Sequence, residues 1–213
     1  MKEQTLKILS ELQEKYSILC GLKENILKAF TIIENTYKNG GKVLLCGNGG
    51  SAADCEHIVG ELLKSFNKRR VIEKDVFDKL EEFGEDGKLL QNTLEGGLPA
   101  ISLTSHLALS TAFANDKQPC AVFAQQLYAL AKKDDVLIAL STSGNSKNCV
   151  LAAMVAKAKS LKVISFTGEK QSKLSNLSDV TINVPETETY KVQELHMPIY
   201  HALCLMLEEE FFA

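Results

Sequence analysis

The stretch Lys42–Glu61, KVLLCGNGGSAADCEHIVGE, carries the signal from which the fold is read. Val43, Leu44, Leu45 and Cys46 form an apolar run of strand length that stops at Gly47-Asn48-Gly49-Gly50-Ser51 and passes into an Ala-rich, helix-compatible segment. The pattern predicts strand, glycine turn, helix. Residues without side chains let backbone N–H groups approach an anion, and Ser51 stands where it can cap a helix whose positive end faces that anion. The expected ligand is a phosphate, cradled by the glycine loop that leads into Ser51. The loop is GxGG rather than GxGxxG and no GK[ST] follows, which argues against a dinucleotide site or a P-loop. His57 and Glu61 lie four residues apart, on one helix face and about 6 Å apart along the axis. Alone, each reads as an ordinary structural or solvated side chain. Together they make a proton-transfer or metal-binding pair over the anion loop.

The pattern recurs downstream. Asp135–Leu140 is an apolar strand, Ser141-Thr142-Ser143-Gly144-Asn145-Ser146 a hydroxyl-rich loop, and Lys147–Ser160 an Ala-rich helix. Four hydroxyls in six residues exceed what helix capping needs, so Ser141, Thr142, Ser143 and Ser146 are read as phosphate ligands. Further strands near residues 100, 163 and 180 alternate with helical segments. The expected architecture is α/β, with a central five-stranded parallel sheet flanked by helices in three layers. Ligands of such sheets bind beyond the carboxyl ends of the strands, where both polar loops emerge.

The 213 residues are 45% hydrophobic, carry a net charge of −3 with mixed signs, and show no Pro- or Ser-rich linker. A single domain over 1–213 is expected, with no nucleic-acid or membrane partner and a cytoplasmic location. Six cysteines without a CxxC pair read as buried free thiols. Residues 3–39 read as two amphipathic helices extending the domain, packed on its own sheet or serving a subunit interface. Residues 64–98 read as an insertion-like excursion with short helices around Val76–Phe83 and Leu89–Leu94, and Lys68-Arg69-Arg70 as a solvated basic turn.

The last helix, from about Thr189 to Glu210, carries Gln193, His196 and His201. On an ideal helix Gln193 and His201 are about 12 Å apart and offset by about 80°, too far for one ion. Either the helix distorts near Pro198 or neighbouring subunits bring residues to one site.

GNGGSAADCEH, the Asn115-Asp116 pair, LSTSGNS and VQELHMPIYHALC, in this order, resemble the sedoheptulose 7-phosphate isomerases, or phosphoheptose isomerases, of the sugar-isomerase (SIS) domain superfamily. The resemblance spans almost the whole chain except about 64–98. It implies the SIS fold and aldose–ketose isomerisation of sedoheptulose 7-phosphate to D-glycero-D-manno-heptose 7-phosphate, feeding heptose for surface glycans such as lipopolysaccharide or capsule. It implies substrate contacts at Asn48, Gly49, Gly50, Asn115, Asp116, Ser141, Thr142, Ser143, Ser146 and Gln193, with Glu61 and His201 as the acid/base pair, Glu61 also facing substrate. It further implies zinc on His57, Glu61, Gln193 and His201, and a homotetramer with sites between subunits. The alternatives are a non-catalytic SIS scaffold or sugar-phosphate sensor of the DnaA-associating type, and an isomerase of another phosphosugar; a scaffold would not need the acid/base pair this chain retains.

Overall fold

The computed structural model describes all 213 residues. Five parallel strands, β1 (Val43–Cys46), β2 (Ala100–Ser102), β3 (Val136–Leu140), β4 (Lys162–Thr167) and β5 (Val180–Asn183), pair in the order β2-β1-β3-β4-β5. β1 and β3 are buried along their whole length, which explains why both read as unbroken apolar runs. Because β2 lies on one side of β1 and β3 on the other, the strand order reverses at β1. The loops after β1 and β3 therefore open at one crevice.

Helices cover both faces. The residues are α1 (Glu3–Lys15), α2 (Lys23–Lys38), α3 (Gly50–Leu63), α4 (Lys74–Leu80), α5 (Gly84–Thr93), α6 (Leu107–Asp116), α7 (Val122–Leu130), α8 (Lys147–Ala158), α9 (Lys173–Leu177) and α10 (Thr189–Phe212). Strand side chains alternate between two cores. Leu44, Leu137, Ala139 and Val163 pack with α7 and α8, while Val43, Leu45, Ile138, Ile164 and Phe166 pack with α1, α2, α3 and α10. The N-terminal pair is held by its own chain: Leu9 and Leu12 are buried, and Thr5 Oγ1 donates to Glu210 Oε2 at 3.0 Å.

Several expectations need correcting. Arg70 is not solvated: its side chain is buried, with Nε 2.8 Å from Glu208 Oε1, Nη1 2.7 Å from the Leu62 carbonyl and Nη2 2.9 Å from the Glu61 carbonyl. An arginine can be buried when nearly every donor finds an acceptor. Burial alone raises the Glu208 carboxyl, but the Phe66 and Asn67 N–H groups and the Arg70 guanidinium outweigh it and hold it below the usual range. Cys20 is exposed and Cys120 half-buried, although all six cysteines are free. α10 runs unbroken through Pro198. The short helices after Lys64 form as α4 and α5, yet their apolar residues stay in solvent, Phe83 at 68% exposure. This hairpin departs and returns through a tied stem, with Gly96 N donating to Arg70 O at 3.0 Å and Leu98 N to Leu62 O at 2.8 Å.

Candidate active site

α3 and α10 lie side by side in parallel register, and this places the functional groups. At their beginnings, the Gln193 amide rests on Gly50, where an added Cβ would meet Oε1 at 2.7 Å, and Gln193 Nε2 is 3.4 Å from Ser51 Oγ. Further along, the His57 and His201 rings are 4.9 Å apart, and His57 Nε2 is 3.3 Å from Glu61 Oε1. Gln193 thus sits with the glycine loop, whereas His57, Glu61 and His201 form a separate cluster. Ser51 does not cap α3: Gly49 holds that position, and Ser51 is buried in the first turn.

The two anion loops meet at the crevice. Asn48 and Asn148 exchange amide hydrogen bonds of 3.0 and 2.7 Å, joining the β1 loop to the start of α8. Asn148 was hidden in sequence because it falls in an Ala-rich helix, where a polar residue reads as a solvated face. Ser141 Oγ donates to Ser146 Oγ at 3.0 Å, and Ser143 Oγ accepts from Asn145 N at 3.2 Å. Ser141 is buried, Thr142 and Ser146 are half-buried and Ser143 is exposed; Thr142, Ser143 and Asn145 line a polar cleft with Glu169, Lys170 and Glu186. Asn115 and Asp116 end α6, exposed and bonded to each other at 2.9 Å, and no hydrogen bond ties them to either loop.

Glu61 Oε2 also reaches Lys64 Nζ at 3.3 Å. Burial, then the neighbouring His57, lower the His201 pKa below its ordinary value, against the pull of Glu61. His201 Nε2 is buried with no partner. Two imidazoles and a carboxylate are donors that zinc accepts, and an unpartnered buried nitrogen beside them suits such an ion. No three His, Cys, Asp or Glu side chains, however, lie close enough to hold one ion in the single chain. His196, by contrast, is structural: it is fully buried, bonds the Thr167 carbonyl at 3.2 Å, and burial takes its pKa down to about 4.

Residues 100–207 match the SIS domain family, and residues 7–95 match a second SIS domain family. The chain is 36% identical over 211 residues to the phosphoheptose isomerase of Aliarcobacter butzleri (strain RM4018), covering 99% of this chain and 98% of that one. The chain belongs to the phosphoheptose isomerase family. The family member of Helicobacter pylori (strain ATCC 700392 / 26695) is 37% identical over 90% of this chain and 86% of its own. Solved phosphoheptose isomerase structures agree in fold. That from Neisseria gonorrhoeae is 31% identical with a TM-score of 0.72, covering 97% and 94% of the two chains. That from Francisella tularensis is 32% identical with a TM-score of 0.75, covering 94% and 93%.

Proposed function

We propose that the chain is an aldose–ketose isomerase that converts sedoheptulose 7-phosphate to D-glycero-D-manno-heptose 7-phosphate, supplying heptose for surface glycans. The observation that carries this reading is the meeting of Glu61 and His201, across His57, on the two helices that flank the anion loops. The substrate phosphate is held by Ser141, Thr142, Ser143 and Ser146 with the N-terminus of α8. The sugar hydroxyls are met by Asn48, Gly49, Gly50, Ser51 and Gln193, and by Asn115 and Asp116.

Isomerisation moves a proton between C1 and C2 through an enediol. Glu61 takes the proton from one carbon and returns it to the other, while His201, whose pKa burial lowers, passes a proton between the two oxygens. His57, Glu61 and His201 are the residues that would hold zinc, with Gln193 the fourth donor named by the resemblance. Bound zinc would polarise the carbonyl and stabilise enediolate charge. Support for a homotetramer with shared sites comes from α6, which buries none of its residues and ends in Asn115 and Asp116. No helix is long and apolar enough to cross a membrane.

The test is turnover of sedoheptulose 7-phosphate by purified protein, with and without chelator, beside Glu61→Gln and His201→Ala. Each substitution is expected to lower kcat by about 10²–10⁴-fold while leaving the fold intact. Full activity in Glu61→Gln would sink the base assignment. Absence of turnover with this sugar, but turnover of a shorter ketose phosphate, would keep the chemistry and change the substrate.

A further inference from the structure

We propose that Asp54 and Tyr200 are positioning residues that hold His57 as its Nδ1–H tautomer, so that the Nε2 lone pair is presented beside Glu61 and His201 to a divalent cation. The chain of contacts is short. Tyr200 Oη donates to Asp54 Oδ1 at 3.1 Å, and His57 Nδ1 lies 3.1 Å from the same phenolic oxygen. A neutral tyrosine has one O–H hydrogen. With that hydrogen given to the Asp54 carboxylate, the oxygen can only accept, so the hydrogen between Tyr200 and His57 belongs to Nδ1. His57 Nε2 then bears a lone pair, 3.3 Å from Glu61 Oε1. A lone pair and a carboxylate oxygen at that separation are placed as neighbouring ligands of one cation, while the Lys64 ammonium stands 3.3 Å from the other Glu61 oxygen.

The environment makes the arrangement durable. Tyr200 is 1% exposed and Asp54 9%. Asp54 Oδ2 is buried without a partner, so Tyr200 is the one side chain bonded to this carboxylate. The Tyr200 ring also packs edge-on against both His57 and His201, with centroids 5.6 and 4.9 Å away. One residue therefore sets the tautomer of the first imidazole and the seat of the second. A carboxylate that acts on a metal-binding imidazole through an intervening group raises the basicity of the facing nitrogen and fixes the ring.

The zinc reading above supplies the cation in this inference, but the tautomer itself does not depend on it. Two measurements separate them. Nitrogen NMR of the His57 ring in zinc-free protein reports the tautomer, and competition with a chromogenic chelator reports zinc affinity. The wild-type chain is expected to show Nδ1–H at His57. Tyr200→Phe, which keeps the ring and removes the hydroxyl, should lose that preference and weaken zinc binding about ten- to a hundredfold. In Asp54→Asn the side-chain amide can donate to Tyr200, turning the phenol hydrogen towards Nδ1, so the tautomer should shift to Nε2–H. Should Tyr200→Phe fail to fold, Asp54→Asn decides. An Nε2–H tautomer in the wild type, or variants with unchanged tautomer and unchanged affinity, would overturn the inference. Wild-type protein that binds no zinc but shows the Nδ1–H form would end the zinc reading and leave the positioning role standing.

Discussion

Gly144 has a φ of +64°, and a Cβ there would stand 2.1 Å from Ser172 Oγ. Both facts forbid a side chain at the turn that arrays Ser141, Ser143 and Ser146. Gly144→Ala should cost more than about 1 kcal/mol and raise KM more than it lowers kcat, checked by thermal unfolding and steady-state kinetics. His196 makes a different prediction, in pH. Its pKa is 6.5 when exposed and about 4 in the fold, because burial opposes the charged ring. The unfolded chain therefore binds the extra proton between those values. The contribution is fully present above pH 6.5 and falls away as pH drops towards 4, by about 3 kcal/mol in total. Urea midpoints measured from pH 7 to 4 should fall less steeply in His196→Gln, which keeps a donor for the Thr167 carbonyl.

At the scale of elements, the pair α3 and α10 was legible in part. The i, i+4 spacing of His57 and Glu61 put both on one face, and the apolar stripe of α10 marked it as packed. The relative register of the two helices was not legible, because it depends on which side chains interlock. Gly50 under Gln193 sets one end of it. Arg70 sets the other, and arginine in a run of three basic residues gives no sign in sequence that it will be buried. Tyr200 escaped notice for a related reason, since a tyrosine within an apolar stripe reads as core. Arg70→Met should destabilise the protein by about 3–5 kcal/mol, leaving Glu208 buried without its guanidinium. Arg70→Lys should recover little of this, because an ammonium cannot serve Glu208, Leu62 and Glu61 in the same fork. Denaturant unfolding of both variants tests the pair. In what remains folded, kcat should fall, since the C-terminal turn of α3 carries Glu61.

For the whole molecule, a parallel five-stranded sheet with polar loops at its carboxyl ends was legible in the strand–loop–helix repeats, and all five strands lie where apolar runs predicted them, whereas the strand order β2-β1-β3-β4-β5 came only with the structure. What single-chain patterning leaves open is how a site closes when its parts are far apart. No hydrogen bond joins Asp116 to either loop, and in the proposed tetramer it would serve the site of a neighbouring copy. Light scattering of the wild type should give four chains per particle. Glu61→Gln and Asp116→Ala, each inactive alone, should regain activity when unfolded and refolded together. Random pairing of shared sites restores roughly a quarter of them. Mixtures that stay inactive would mean that each chain builds its site alone.

The stem beneath α4 and α5 bears on how such proteins change length over evolution. Chain enters at Arg70 and leaves at Gly96 across one backbone hydrogen bond, and the arginine at that doorway is already locked to the helix behind it. Whatever lies between can be shortened, lengthened or exchanged without transmitting a shift to the Glu61 carboxylate. The doorway is thus an insertion port, open to grafted segments that give one isomerase scaffold new surfaces while its chemistry stays in place.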